Sequence, residues 1–183
     1  MIKVYKYGDK SSLSPHFSVP EFQCKCGKPH AIRVDETLVS KLEKLFDRLG
    51  CSKIIVNSGF RCVTHDVKVG GNGSGNHTKG IAADIVCYDK AGCIICSNDV
   101  CCAAQDVGFT GIANIDDTRT ATHVDVRTDG KWFGDETITT SSSVTDDFYK
   151  YFKKEPKTEK KETIKVSLTI GDDKYEGTIN LIK

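Results

Sequence analysis

The sequence lacks the features of a membrane-spanning or nucleic-acid-binding protein. No apolar run approaches the length of about 18 residues that a helix needs to cross a bilayer, so we predict no transmembrane segment. The 26 basic and 25 acidic residues leave a net charge of +1, which gives no general attraction to nucleic acid. Residues 1–9 also lack the apolar core of a secretion signal, and we therefore expect the protein to be made in the cytoplasm.

The glycines and cysteines do not form the motifs of two common enzyme classes. Residues 63–79 are predicted to be a loop. Its glycines between residues 70 and 75 lack the spacing of a phosphate-binding loop, and we interpret them as a wall of a cleft. The count of nine cysteines is odd, so complete internal pairing is impossible. No cysteine has a recognisable context with histidine, which argues against a thiol enzyme. Cys93-x-x-Cys96 leaves open a structural zinc or redox motif, although cysteine is often a small buried apolar residue.

Length and composition predict one domain with an appendage. The chain has 183 residues, of which 38% are hydrophobic and 28% charged, as in a soluble globular protein. We predict an arm at 1–13, a catalytic domain at 14–149, a charged linker at 150–162 and a β-hairpin at 163–183. The hairpin is either a structural tail or an element that binds the cell wall or a second chain, because an isolated hairpin is marginal in water.

The pattern of apolar residues predicts an α+β fold. Apolar residues recur on one face of an amphipathic helix over residues 35–49, which Gly50 ends. The other predicted elements are strands at 53–57, 81–86, 109–115 and 122–127 and a helix at 98–107. Together they predict a small antiparallel sheet with flanking helices, followed by the C-terminal β-hairpin.

Three separated residues form a possible metal-ligand set. Two imidazoles and one carboxylate are a usual protein ligand set for a catalytic zinc, because the fourth tetrahedral position stays open. Asp84 is a lone carboxylate in an apolar strand, so it must pair or bind a metal. His123 shares one face of its strand with Asp125 and Arg127, because strand side chains alternate.

Five short motifs occur in an order that resembles a known family. They are Phe17-Ser18-Val19-Pro20-Glu21-Phe22 with Cys24-Lys25-Cys26-Gly27, then Ser58-Gly59-Phe60-Arg61, Val69-Gly70-Gly71, the His77-to-Asp84 segment, and His123-Val124-Asp125-Val126-Arg127. The pattern is similar to the zinc peptidases of the D-alanyl-D-alanine carboxypeptidase family, also called peptidase M15. It most resembles their short phage and bacterial cell-wall branch. The resemblance implies a hedgehog/DD-peptidase-like core.

The resemblance implies roles for individual residues. His77, Asp84 and His123 would bind Zn²⁺, and Arg61 would hold the substrate carbonyl or the developing oxyanion. The general base is left open between Asp125, which is also a possible orienting residue, and Asp117.

The sequence departs from the family pattern at two positions. Gly75 stands where the family usually has serine, two residues before the first ligand, and Ser74 precedes it. Asp66 stands where asparagine is common.

These features predict zinc-dependent hydrolysis of an amide bond in peptidoglycan stem or cross-bridge peptides. Both D,D-carboxypeptidase and endopeptidase or endolysin action fit, and the bond that is cut and the oligomeric state are left open. The alternatives are a non-catalytic zinc-containing wall-binding module and a phage structural protein. We expect the protein to act at the cell wall after release from the cytoplasm through phage-type membrane holes.

Overall fold

The fold was analysed in a computed structural model, which describes residues 1–139, 142–156, 162–170 and 173–181. The strands are β1 (Ile2–Tyr5), β2 (Ile32–Asp35), β3 (Lys53–Ser58), β4 (Ala82–Tyr88), β5 (Gly111–Asn114), β6 (Thr122–Asp125), β7 (Trp132–Asp135), β8 (Glu162–Ile170) and β9 (Asp173–Leu181). The helices are α1 (Glu36–Leu49), α2 (Val63–Lys68), α3 (Asn76–Lys79), α4 (Ser97–Asp106) and α5 (Phe148–Tyr151), and a 3₁₀ helix spans Val19–Phe22.

A five-stranded sheet is the centre of the fold, and its strand order is β3-β4-β6-β5-β7. Every neighbouring pair is antiparallel except β5 and β7, which are parallel. The parallel pair arises because the connection at 126–131 leaves β6 beside the start of β5 and enters β7 at that same end. The predicted α+β class with flanking helices is confirmed, and the sheet is mixed at this one edge.

Helix α1 forms much of the core beneath the sheet. Leu38, Leu42 and Leu45 recur on its inner face and are fully buried, and each stabilises the fold by roughly 2 kcal/mol relative to an exposed side chain. The Asp35 side chain accepts a hydrogen bond from the Thr37 amide at the start of the helix. Gly50 ends it in a left-handed conformation, as the sequence predicts.

Two segments that the sequence predicts to be irregular are ordered. The expected loose arm contains β1, which pairs with β2 over four residues. The segment from residue 63 to 79, predicted to be a loop, holds the short helices α2 and α3 on either side of the glycine turns. Alternation of apolar residues is too brief in these pieces for a period to be recognised.

The C-terminal β-hairpin is confirmed as a pair of antiparallel strands, β8 and β9, which meet at Ile170 and Asp173. Residues 157–161 of the predicted linker lie outside the described residues, and the proposed domain boundaries stay predictions. Within the described part of the chain, no helix combines the length and apolar character that a membrane crossing requires.

Candidate metal centre

The sheet places Asp84 and His123 side by side. They are partners in the antiparallel register of β4 and β6, so both side chains leave the same face of the sheet. His77 approaches from α3, which ends at Lys79 and is capped by Gly80, two residues before β4 begins at Ala82. Neighbouring strands and one short helix therefore bring together the three residues that the resemblance implies as ligands.

The three candidate ligand atoms form a compact triangle. His77 Nε2 lies 3.2 Å from Asp84 Oδ1 and 3.3 Å from His123 Nδ1, and His123 Nδ1 lies 2.9 Å from Asp84 Oδ1. Zinc binds nitrogen and carboxylate oxygen at about 2.0–2.2 Å, which gives tetrahedral edges of roughly 3.3–3.6 Å. The triangle is thus close to one face of a zinc tetrahedron.

Hydrogen bonds at the outer ring nitrogens select the tautomers in which, once each ring is neutral, the inner nitrogen is the metal ligand. His77 Nδ1 lies 2.8 Å from the Gly59 carbonyl oxygen and must donate to it, so its Nε2 carries a lone pair. His123 Nε2 lies 3.2 Å from Asp125 Oδ2, so a donated proton there leaves the Nδ1 lone pair toward the triangle. A carboxylate behind a ligating histidine is the usual arrangement in zinc sites.

Asp125 is fully buried and its carboxylate is already occupied. Oδ2 accepts from Asn76 Nδ2 at 2.8 Å and from His123, while Arg127 donates to both carboxylate oxygens and to Oδ1 from its backbone amide. Although burial opposes it, these bonds hold the pKa of Asp125 well below its usual range. Both oxygens of Asp125 are therefore engaged in hydrogen bonds, one of them with the His123 ring.

Space for the Asp125 carboxylate comes from Gly111, its cross-strand partner on β5. A Cβ built at Gly111 would lie 2.1 Å from Asp125 Oδ2, far inside van der Waals contact. Any side chain here would displace the carboxylate, so glycine is required by the close approach.

The charges of the centre are strongly coupled. Burial lowers the pKa of His123, but hydrogen bonds to Asp125 and Asp84 outweigh it and raise the pKa to about 9. Burial raises the pKa of Asp84, but the interactions with His123 and His77 outweigh it and hold that pKa far below its usual range. A metal ion at this site would displace the imidazole proton and take its place between the carboxylates.

Arg61 lies beside the triangle and is held on three sides. Its Nη2 donates to Asp84 Oδ2 at 2.5 Å, its Nε donates to Ser58 Oγ at 2.8 Å, and its Nη1 lies 3.5 Å from Asp66 Oδ1. Asp84 thus directs one oxygen toward the triangle and the other toward Arg61.

Asp66 anchors both Arg61 and the glycine-rich turn. It is buried and accepts a hydrogen bond from the Gly73 amide at 3.0 Å. The glycines therefore wrap around the carboxylate that supports Arg61. The Ser74 hydroxyl, by contrast, is exposed and donates to Asn72 Oδ1 within the turn.

A comparison with protein families identifies the chain. Residues 15–125 match Peptidase M15, a span that covers more than half of the chain and includes all three candidate ligands. The chain belongs to the peptidase M15 family. Peptidases M15 are zinc-dependent in general. The protein is therefore a metallopeptidase that acts on a peptide-containing substrate. A comparison with curated proteins gave no match.

The second candidate base of this M15 peptidase lies away from the triangle. Asp117 is exposed in the turn between β5 and β6. Among the hydrogen bonds and ion pairs of the described residues, none joins Asp117 to His77, Asp84 or His123. The structure brings the other predicted site residues together and leaves this one outside.

Two residues that the sequence does not single out face the same side of the sheet. His123 pairs with Ala113, and Ala113 pairs with Gly134, so two small residues continue the row from the metal centre. Trp132 and Glu136 lie two positions to either side of Gly134 and share its face. The Trp132 ring meets the His123 ring edge-on, with centroids 6.2 Å apart.

The charges of the metal centre affect the pKa of Glu136. Its partial burial and the Asp84 charge raise the pKa of the Glu136 carboxyl, while His123, Arg61 and His77 oppose that shift. Its backbone amide continues the sheet by donating to the Asn114 carbonyl at 2.8 Å. The sequence gives no local signal for Glu136, because residues 132–136 do not alternate between apolar and polar types.

Proposed function

We propose that this M15 peptidase hydrolyses an amide bond in peptidoglycan stem or cross-bridge peptides. The observation that carries the proposal is the triangle of His77, Asp84 and His123, whose candidate ligand atoms lie 2.9–3.3 Å from one another. The motifs shared with cell-wall D-alanyl-D-alanine carboxypeptidases support the substrate class. We place its action at the cell wall, where that substrate occurs.

His77, Asp84 and His123 would hold the zinc ion. When bound, zinc supplies Lewis acidity for the scissile carbonyl and lowers the pKa of water to about 7. The fit rests on the donor set: two neutral imidazole nitrogens and one carboxylate oxygen, with a carboxylate behind His123.

Arg61 is assigned to the carbonyl oxygen of the substrate. A guanidinium has five N–H donors, and only some of them are used by Ser58, Asp84 and Asp66. The remaining donors are held rigidly next to the triangle. Donors fixed in advance stabilise the negative charge that develops on the carbonyl oxygen during attack.

Glu136 is assigned to proton transfer. Asp125 is occupied by its hydrogen bonds, whereas Glu136 is solvent-accessible and lies within electrostatic reach of the centre. Its carboxylate accepts a proton from the attacking water and returns it to the amine leaving group. A raised carboxyl pKa suits both steps, because acid–base catalysis is most efficient when the pKa approaches the working pH.

The test is mass spectrometry of soluble peptides released from purified peptidoglycan by the zinc-loaded protein. Wild type is expected to release a defined fragment whose mass identifies the bond, and His77→Ala is expected to release none. Glu136→Gln, which keeps the ligand triangle, is expected to bind zinc normally and to lose most of its activity.

The same experiment separates an enzyme from a wall-binding module. If folded, zinc-loaded wild type releases nothing from several wall chemistries yet sediments with the walls, the proposal of hydrolysis is wrong. Binding that persists after chelation would then assign the domain to wall attachment.

A further inference from the structure

A second group of metal-binding side chains lies apart from the catalytic triangle. Cys24 and Cys26 follow the 3₁₀ helix, and Cys62 follows Arg61 at the start of α2. The sulfur atoms of these three cysteines lie within 4.8 Å of one another. Zinc–sulfur distances of about 2.3 Å give tetrahedral edges of roughly 3.8 Å, so a small contraction would complete three corners of a zinc site.

Backbone amides already support two of the sulfur atoms. The Lys28 amide donates to Cys26 Sγ at 3.4 Å, and the Cys62 amide donates to Cys24 Sγ at 3.3 Å. The first bond closes a turn around Gly27, whose positive φ of 76° suits glycine. Amide donors stabilise a thiolate, which is the form of cysteine that binds metals.

A fourth ligand is available in the adjacent cavity. The cavity has a volume of about 350 Å³, and its lining includes Cys26, Cys62, His30 and His65. Within the described part of the chain, His30 Nε2 is buried and has no hydrogen-bond partner. This imidazole nitrogen lies outside the 4.8 Å group that the three sulfur atoms form, so the His30 side chain has to turn toward them to supply the donor that a three-cysteine site lacks.

The other cysteines are placed differently. Cys51, Cys87, Cys101 and Cys102 are buried among core residues, whereas Cys93 and Cys96 are exposed. In the described residues, Cys93 and Cys96 belong to no group of three possible ligands. Among the described residues, the cysteines that cluster are therefore not those of Cys93-x-x-Cys96 but Cys24, Cys26 and Cys62, which come from two separate segments.

We propose that Cys24, Cys26, Cys62 and His30 bind a structural zinc ion, in addition to the catalytic one. Such an ion ties the segment after the 3₁₀ helix to the loop that presents Arg61. The two segments already touch, because the Phe60 amide donates to the Phe22 carbonyl at 2.9 Å. The ion would fix the position of Arg61 without touching the substrate.

Counting zinc per chain tests the proposal without any activity assay. Wild type purified with zinc is expected to contain two ions by plasma mass spectrometry, and His77→Ala and Cys62→Ser one each. The double variant is expected to contain none. Cys93→Ser, with the same chemical change at an exposed thiol, should retain two. A single zinc in wild type that is unaffected by Cys62→Ser overturns the proposal.

Wild-type protein alone provides a second readout if the variants do not fold. Peptide mapping after alkylation should find Cys26 and Cys62, which are partly exposed, protected in zinc-loaded protein and labelled once a chelator is added. Cys93 and Cys96 should react in both conditions. Protection that does not depend on the chelator, or a disulfide between two of the three cysteines, overturns the proposal.

Cobalt substitution tests the fourth ligand. His30→Ala is expected to weaken cobalt binding and to alter the thiolate charge-transfer spectrum, and His65→Ala, in the same cavity, is expected to leave both unchanged. The reverse result would overturn the assignment of His30.

Discussion

Replacing Asp125 by asparagine is expected to weaken zinc binding more than it slows the zinc-saturated enzyme. The substitution keeps the shape of a fully buried side chain and removes its charge. His123 then loses the carboxylate that accepts its Nε2 proton. Loss of such a partner costs roughly 10- to 100-fold in metal affinity, or about 1.4–2.7 kcal/mol.

The same substitution is expected to destabilise the metal-free fold. Arg127 donates to both Asp125 oxygens, and its side chain is only 22% exposed. Breaking a buried ion pair by removing one partner costs about 3–5 kcal/mol. We expect about 3 kcal/mol in the free energy of unfolding, because Arg127 keeps some access to water.

Zinc dissociation constants should be measured by competition with a chromophoric chelator, and unfolding by urea titration, at the same pH. Asp117→Asn is the matched control, because it makes the same chemical change on an exposed turn. Activity of each variant should then be measured at saturating zinc. The control is expected to behave as wild type in all three assays.

One result would refute the assignment of Asp125 as an orienting residue. If Asp125→Asn binds zinc as tightly as wild type but loses activity at saturating zinc, Asp125 acts directly on the reacting groups. A comparable loss in Asp117→Asn would instead favour the exposed carboxylate as the base.

Three further predictions address the site and the fold. Gly111→Ala should weaken zinc binding roughly tenfold or more in the same competition assay, because its Cβ displaces the Asp125 carboxylate. Gly75→Ala is the control, because a Cβ there meets only ordinary contacts, and it should leave zinc binding unchanged. Equal effects of the two substitutions would contradict the steric argument. The zinc-saturated enzyme should lose kcat/KM as pH falls through the raised pKa of Glu136, above 4.5, and a pH–rate profile unchanged in Glu136→Gln would exclude it as the base. Burial raises the pKa of Asp116, but hydrogen bonds outweigh it and lower the pKa to about 2. The stabilisation from Asp116 is therefore present above its unfolded pKa and is lost as pH falls toward 2. In urea unfolding, Asp116→Ala should cost about 1 kcal/mol at neutral pH after allowance for solvent exposure, and this difference from wild type should disappear as pH falls toward 2.

The sequence predicts those parts of the site that lie within regular elements. The helix from Glu36 to Leu49 has a clear period and explicit ends, so its bounds are predicted to within one residue. Asp84 stands out because it interrupts an apolar strand, and His123 because it lies on the polar face of an alternating strand. Pairing of their strands then brings them together without any further information.

The rest depends on the geometry of the sheet edge and on distant contacts. Glu136 reaches the centre only because β7 runs parallel to β5, and the sequence gives no sign of that crossover. The role of Asp125 depends on the missing Cβ of Gly111, a contact between two strands. Cys62 approaches Cys24 across 38 residues, which no local spacing rule detects.

The position of Asp66 has a consequence for the charge balance of the cleft. At neutral pH the centre contains four carboxylates, Asp66, Asp84, Asp125 and Glu136, and two guanidiniums, Arg61 and Arg127. With neutral imidazoles these side chains leave two negative charges, which one divalent cation cancels. If asparagine replaced Asp66, the metal-loaded cleft would instead carry a positive charge. The buried carboxylate behind Arg61 therefore decides whether the metal-loaded cleft is neutral or positive.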